Sequence, residues 1–524
     1  MGSRDLGAYW SIKLSFVRSV SWNYLGYFFE FVSGLLLLAY VVRRISVHEY
    51  GIYLMAQAVA AFLYLLEFGM GNVLVPLYIS TFARSGIAEV SRLASTVFLA
   101  LLGFGAAGAV VLSLAALFIP RLIGLPSANA ALAVRVLIVM SVAVGLALPQ
   151  MVLEQLCQAF HRYDRINQVH IAAVGLRVAL TVAVLMAGRG ILALATVQVV
   201  VSGLRLAGLW AVASTAISGL SLQFRFDRKL LLGAMHMSKW AFGDDISHRI
   251  SLNAESVILA ALGSFEQLAL FGVGSRLPAH LYQFAARGLS VLLPTLSQHH
   301  AEGDKAQLRA TFSATYRVCL TGLVPLAAFA AICAPDLMKI WAGQAYAGAA
   351  PVMAWLLMSS LSMVVMLPSD MVLYSHNQIR KAALFSILQT LGKIALALAL
   401  ARQYGALGVA VGIAVWHWSV NLFFMLPAAC KVAELSPWEL WRVALTGHNR
   451  KDGSQGAGDR KGNLIQGGAF VLCAVALGSG MKVLGKLEMF VACILISLLY
   501  AGIWANCTAL PMWRRARMEA SAAL

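Results

Sequence analysis

The sequence predicts an all-α polytopic membrane protein, with about 14 transmembrane helices arranged as two parallel six-helix lobes around a central cavity plus two C-terminal helices. Three observations predict it. Apolar runs of about 20 residues, the length a helix needs to cross a hydrocarbon core, recur along nearly all of the 524 residues. Lys and Arg collect at alternate breaks between those runs. Two segments 218 residues apart repeat one another. Composition agrees: 60% of residues are hydrophobic, only 12% are charged, and the mean hydropathy is +0.79. No polar stretch is long enough for a separate soluble domain.

Taken in order, polar breaks delimit spans centred near Gly34, Ala60, Ala107, Val142, Val178, Val201, Leu252, Tyr282, Ala328, Met363, Leu396 and Gly412. After a polar segment over 431–463, two more centre near Ala474 and Ile496. The expected organisation is an N-lobe over 1–213 (spans 1–6), an inter-lobe linker over 214–237 and a C-lobe over 238–430 (spans 7–12). A flexible basic linker over 431–463, spans 13–14 over 464–511 and a tail over 512–524 follow.

Loop charge fixes the direction of the first span, because short basic loops stay in the cytoplasm. With the N-terminus inside, cytoplasmic segments hold 25 of the 40 basic residues, from Arg4 and Arg84 through Arg228 and Lys381 to Arg514. The opposite loops hold 8, among them Arg44, Arg121, Lys339 and Arg402. Both termini are therefore expected in the cytoplasm. The same distribution explains the net charge of +18. It is spread over many short loops, which suits anionic membrane lipid and argues against nucleic acid as a partner. The N-terminal MGSRDLGAYWSIKLSF is polar and basic, unlike a cleavable signal. The 7 cysteines lie apart without CxxC spacing, so no metal site or disulfide is expected.

The repeat runs from Gly51-Ile52-Tyr53 through Val73-Leu74-Val75-Pro76 to Ala83-Arg84-Ser85-Gly86 in its first copy. The second runs from Ala269-Leu270-Phe271 through Val291-Leu292-Leu293-Pro294 to Ala301-Glu302-Gly303. It joins span 2 to span 8. Six spans separate the copies, an even number, so both cross in the same direction, as parallel repeats of transporters do.

These residues carry a family resemblance. The stretch Arg43-Arg44-Ile45-Ser46-Val47-His48-Glu49-Tyr50-Gly51-Ile52-Tyr53, followed by Leu66-Glu67-Phe68-Gly69-Met70-Gly71, resembles the signature of polysaccharide and oligosaccharide flippases. These belong to the multidrug/oligosaccharidyl-lipid/polysaccharide exporter superfamily. Val257-Ile258-Leu259 to Leu293-Pro294-Thr295-Leu296-Ser297, with Ala301-Glu302-Gly303-Asp304, resembles its span 7–8 region. One departure is Ala269, where the first copy has Gly51. The resemblance implies alternating access, driven by a proton or sodium gradient without a bound cofactor. It implies transfer of undecaprenyl-pyrophosphate-linked oligosaccharide across a bacterial inner membrane, beside glycosyltransferases and a polysaccharide polymerase.

Charges inside spans point to the chemistry, since a charge at mid-bilayer costs roughly 2.5–3.5 kcal/mol on insertion scales and turns to a cavity or a partner. On span 8, Arg276, His280, Gln283 and Arg287 recur at i, i+4, i+7 and i+11, one helical face. Forked Arg donors there match pyrophosphate oxygens. With Arg249 of span 7 these are the expected substrate-binding residues. Asp245 and Arg249 stand at i, i+4 and can neutralise one another. Span 1 carries Asn23, Tyr27, Glu30 and Gly34 on one face, and span 6 carries Gln198, Ser202 and Arg205. Glu30, Glu67 and Glu255 are the candidates for ion coupling, each equally able to pair with an Arg. The alternative for all these groups is that they bond to one another and lock the helices together. Pro149, Pro278, Pro325 and Pro368 can kink their spans. Trp416-His417-Trp418 lies inside span 12, placed either to pack or to touch sugar.

Other classes fit less well. A membrane glycosyltransferase or ligase needs a catalytic constellation on a large loop, and no Walker motif or metal-ligand cluster appears, so no enzyme is expected and no catalytic residue is named. A multidrug or cation antiporter calls for acids rather than the basic face of span 8. A peptidoglycan lipid-precursor flippase remains an open alternative.

Overall fold

The computed structural model describes residues 26–446 apart from 27, 120–126, 218, 224, 263, 290–291 and 377. Spans 13 and 14, the linker beyond 446, and Asn23 and Tyr27 of span 1 lie outside the described residues. Among those described there is no strand. Seven helical segments are long and apolar enough to cross a membrane, and a shorter apolar helix precedes them. All twelve expected centres ahead of the 431–463 segment fall in helix.

The helices are α1 (Phe28–Val42), α2 (Val47–Ala60), α3 (Leu74–Ala116), α4 (Ser127–Ala159), α5 (Tyr163–Met186), α6 (Ile191–Ala216) and α7 (Arg228–Ala261). They continue with α8 (Phe265–Gly274), α9 (Arg276–Leu289), α10 (Leu292–Ala301), α11 (Lys305–Ile332) and α12 (Ala334–Trp341). Last come α13 (Ala349–Ser375), α14 (Ile379–Val420), α15 (Leu426–Val432) and α16 (Pro437–Thr446). The chain divides into two compact units, Met1–Ala269 and Leu270–Leu524.

In the first unit α4 packs between α3 and α6, and α7 packs on α2 and α3. A continuous core of Leu93, Val97, Leu101, Leu148, Leu153, Leu156 and Leu209 joins α3, α4 and α6. Gly105 of α3 and Gly145 of α4 meet so closely that a Cβ on either would strike the other's carbonyl, the small-residue crossing that lets membrane helices approach. Local signals set the boundaries. Ser46 caps α2 by accepting from the Glu49 backbone N–H at 3.2 Å, and Ser46 with Glu49 has the spacing of a capping box. Asp227 caps α7 through the N–H groups of Lys229 and Leu230 at 2.9 and 3.4 Å. The segment before α7 is strapped along α3: Ser221, Gln223 and Asp227 donate backbone N–H groups to Ser91, Ser95 and Thr96 at 3.1, 3.0 and 3.2 Å.

In the second unit α13 is the central helix, packed by α9, α10, α11, α12, α14 and α15. The core holds Phe312, Tyr316, Leu361, Val365, Val372 and Leu373. Helix α14 is two limbs folded back at Gly405, whose φ is 56°. Gly392 lies against Trp416, Leu396 against Gly412 and Leu400 against Gly408, so the limbs run antiparallel. They are spans 11 and 12. A clasp closes the end of α11: Lys305 and Arg309 each reach Glu434 at 2.5 Å. Asp304 caps the same helix through the Gln307 N–H at 2.9 Å.

Of the prolines expected to kink their spans, Pro278 follows the break at Ser275 by three residues, while Pro149 and Pro368 do not interrupt α4 and α13. The chain also turns at Gly86, Gly405 and the pair Phe68-Gly69, all with positive φ.

Candidate functional site

Both copies of the repeat fold as interrupted helices. In the first copy, α2 passes into a 3-10 turn over Ala61–Glu67, and Phe68 and Gly69 then adopt left-handed backbone with φ of 52° and 70°. A second 3-10 turn over Met70–Asn72 leads into α3. A non-glycine residue held there costs on the order of 1–3 kcal/mol and persists only where its surroundings impose it. The Phe68 ring is fixed by Phe104 and Phe242, with centroids 5.5 and 5.4 Å away. The second copy covers α8, α9 and α10, with a turn at Ser275 between α8 and α9. The interruptions fall at different registers: at the 218-residue offset Phe68 and Gly69 correspond to Ala286 and Arg287, inside α9.

At the first break stands Glu67, its side chain 8% exposed. Arg249 of α7 donates to it at 2.7 Å and to Asp245 at 3.2 Å. The guanidinium lies 4.7 Å from the centre of the Tyr64 ring. Backbone freed by the break is met by Gln155 of α4, whose amide donates to the Gly71 carbonyl. Two further pairs lie in the same unit. Arg205 of α6 reaches Glu154 of α4 at 2.5 Å, and His170 of α5 reaches Glu30 of α1 at 3.3 Å. Gln150 also donates to the Ser202 carbonyl at 2.9 Å. The polar stripe of span 6 therefore faces α4, and the expected Asp245–Arg249 pair forms but is shared with Glu67. Glu255, the third coupling candidate, is buried at 6% exposed.

In the second unit the residues of the expected span 8 face lie on α9. Arg276, Gln283 and Arg287 of α9 are exposed and His280 is half-buried on the same side. The opposite side of α9 packs Tyr282, Ala285 and Leu289 against Val364 and Leu367 of α13. Among the described residues Arg276 has no carboxylate partner. Over eleven residues the face extends about 16 Å, room for a charged group and the polar atoms beside it. Four of the five expected substrate residues thus lie together on α9; the fifth, Arg249, is engaged with Glu67 in the first unit.

The second unit also holds a polar core that spacing alone did not single out. Ser359 Oγ and His417 Nδ1 are 2.7 Å apart, Asn421 donates to Ser362 at 2.8 Å, and Gln389 donates to Asn421 at 2.6 Å. The signal was present as polar pairs three or four residues apart: Ser359/Ser362, Gln389/Lys393 and His417/Asn421. The aromatic neighbours of His417 serve this packing. Trp416 donates its indole N–H to the Leu388 carbonyl at 2.9 Å and Trp418 donates to that of Met358 at 3.0 Å. Among the described residues no cluster of His, Cys, Asp and Glu has the form of a metal site.

A family model described as polysaccharide biosynthesis protein matches residues 40–351, more than half of the chain and including both interrupted helices. The chain belongs to this family. No curated protein matches it by sequence. Among solved structures, the chain is similar to the lipid II flippase MurJ in an inward closed conformation, with a TM-score of 0.69 at 13% identity over 93% of this chain and 99% of that one. It is also similar to an inward-facing multidrug resistance MATE family transporter of the MOP superfamily, with a TM-score of 0.64 at 13% identity over 76% of this chain and 98% of that one. An outward-facing MATE transporter gives 0.51 at 12% identity over 78% of this chain and 95% of that one. At such identities the likeness concerns the fold: the family member is a multi-pass membrane protein built as MOP-superfamily transporters are.

Proposed function

We propose that this protein is an alternating-access flippase that moves undecaprenyl-pyrophosphate-linked oligosaccharide across the bacterial inner membrane, driven by an ion gradient. The observation that carries the reading is the exposed face of α9. Two arginines and a glutamine are exposed beside a half-buried histidine on one side of this 14-residue helix, opposite the side that packs on α13. Lipid tails cannot solvate them, so the face belongs to a water-filled or substrate-filled space. A pyrophosphate offers several charged oxygens, and forked guanidinium donors match them in geometry and sign. Organic cations would be repelled, which sets aside a cation exporter. The family match supports glycan as the cargo over a drug, and lipid-linked glycan enzymes acting earlier and later in the pathway are the expected partners.

The test is glycan export in cells matched for protein level. Arg276→Ala should abolish export with abundance unchanged. Arg276→Lys should restore it only in part, because a point charge replaces a bidentate fork. Normal export by Arg276→Ala would place the substrate elsewhere.

A further inference from the structure

The fold gathers part of the net charge of +18 on one built surface of the first unit. The segment before α7 is held against α3 because Ser221, Gln223 and Asp227 donate their N–H groups to Ser91, Ser95 and Thr96, whose side chains are themselves buried. Arg92 of α3 adds an ion pair to Asp227 at 3.0 Å, while Asp227 caps α7. Thr96 stands 20 residues before the end of α3 at Ala116. That is about 30 Å of rise, the depth of a hydrocarbon core, so the segment lies where span 3 leaves the membrane. There Arg225, Phe226, Arg228 and Lys229 are exposed. Asp227 is the one acid between Ser221 and Lys239, and it is engaged by Arg92 and by the cap. The three cations beside it have no ion-pair partner among the described residues. Phe226 is 57% exposed among them, and Leu232, one turn beyond Arg228, is 53% exposed.

We propose that this surface binds anionic phospholipid headgroups, with Arg225, Arg228 and Lys229 on the phosphates and the Phe226 ring in the interface. The inference does not rest on the flippase reading, only on the chain's crossing a membrane. Cations clustered at the level where headgroups lie meet a plane of negative charge. Guanidinium forks match phosphate oxygens, and long basic side chains keep their heads in the polar layer while their stems lie along apolar chains. An exposed ring between cations suits a bilayer, where aromatic groups collect at the interface; a soluble anion leaves the ring in water. The bonds to α3 fix the backbone that carries Arg225, so less conformational freedom is lost on binding than from a loose loop. Lipid held there bears on the segment that joins α3 to α7. Because it binds the folded chain, it raises stability by mass action.

The thermal unfolding midpoint of the purified full-length protein in detergent should rise as phosphatidylglycerol is added, and rise less with phosphatidylcholine. The variant Arg225→Gln/Arg228→Gln/Lys229→Gln should lose about half of the phosphatidylglycerol effect or more. The variant Arg84→Gln/Arg162→Gln/Arg165→Gln removes as many exposed cations from elsewhere in the first unit and should keep it. Phe226→Ser leaves the charge unchanged and should raise the lipid concentration for half the effect about twofold or more. Equal losses in the two triple variants would reduce the effect to net charge and overturn the proposal. So would a wild-type protein indifferent to phosphatidylglycerol. An equal rise with inorganic phosphate or pyrophosphate would overturn it too, making the surface one for soluble anions. Should the first triple variant fail to elute as a folded species, Arg225→Gln alone decides. A smaller rise than in the wild type supports the lipid surface, and an unchanged rise removes it.

Discussion

Arg249 Nη2 donates to Glu67 Oε1 at 2.7 Å, joining α7 to the broken end of α2 across 182 residues of chain. The carboxylate is enclosed and the guanidinium, 22% exposed, holds Asp245 as well. One cation thus holds two carboxylates. It also ties the helix that follows the inter-lobe segment to the place where span 2 loses its regular hydrogen bonds.

Breaking this pair from one side leaves a charge with poor solvation, and that is dearer than removing both. Glu67→Gln and Arg249→Gln should each lower the thermal unfolding midpoint in detergent, Arg249→Gln more, because it strands two acids. The double variant should be less destabilised than the sum, with a coupling of about 0.5–3 kcal/mol. Strict additivity would mean that the pair is not formed in the folded protein.

A steric prediction concerns Gly51, where the second repeat copy has Ala269. A Cβ there would overlap the backbone carbonyl of Phe265, which cannot swing aside. Gly51→Ala should therefore destabilise the protein by about 1–3 kcal/mol, the usual cost of overpacking. Gly103→Ala is the control, since nothing lies within 4 Å of its added methyl. Equal unfolding midpoints for the two variants would contradict this crossing.

A pH dependence follows from His376, beyond the end of α13. Burial, and after it the neighbouring His300 with ring centroids 4.1 Å apart, hold its imidazole below the ordinary value of 6.5. The unfolded chain thus takes a proton at a higher pH than the folded one does. The stabilisation is complete above 6.5 and is lost as pH falls from there through the folded value. Unfolding midpoints measured between neutral and mildly acidic pH should fall, and His376→Gln should flatten that fall. An unchanged slope in the variant would assign the effect to other groups.

Orientation has its own test. Reporters fused near Arg84, Arg228, Lys381 and Lys451 should read as cytoplasmic, and those near Arg44 and Lys339 as external, from the bias of basic residues between alternate loops. Arg228 and Arg44 on the same side would overturn the span count and the parallel repeat.

The sequence by itself determined that the chain crosses a membrane many times, where its helices centre, and which residues share a face. Hydrophobic length, loop charge and the 3.6-residue period are local properties, so they survive without knowledge of neighbours. That is why Arg276, His280, Gln283 and Arg287 were legible as one stripe. Partners were not. Glu67 and Arg249 read as members of two separate sites, one for ions and one for substrate, and the fold made them a single ion pair. Trp416 and Trp418 read as placed either to pack or to touch sugar, and the fold sets their indoles on backbone carbonyls. The prolines suggested kinks, yet α4 and α13 run through theirs, while Phe68, which no local rule marks, turns left-handed because two rings hold it. Contacts over a hundred residues or more depend on which helices become neighbours. Only the tertiary structure decides that, because many apolar faces are interchangeable until the small and polar residues between them are matched.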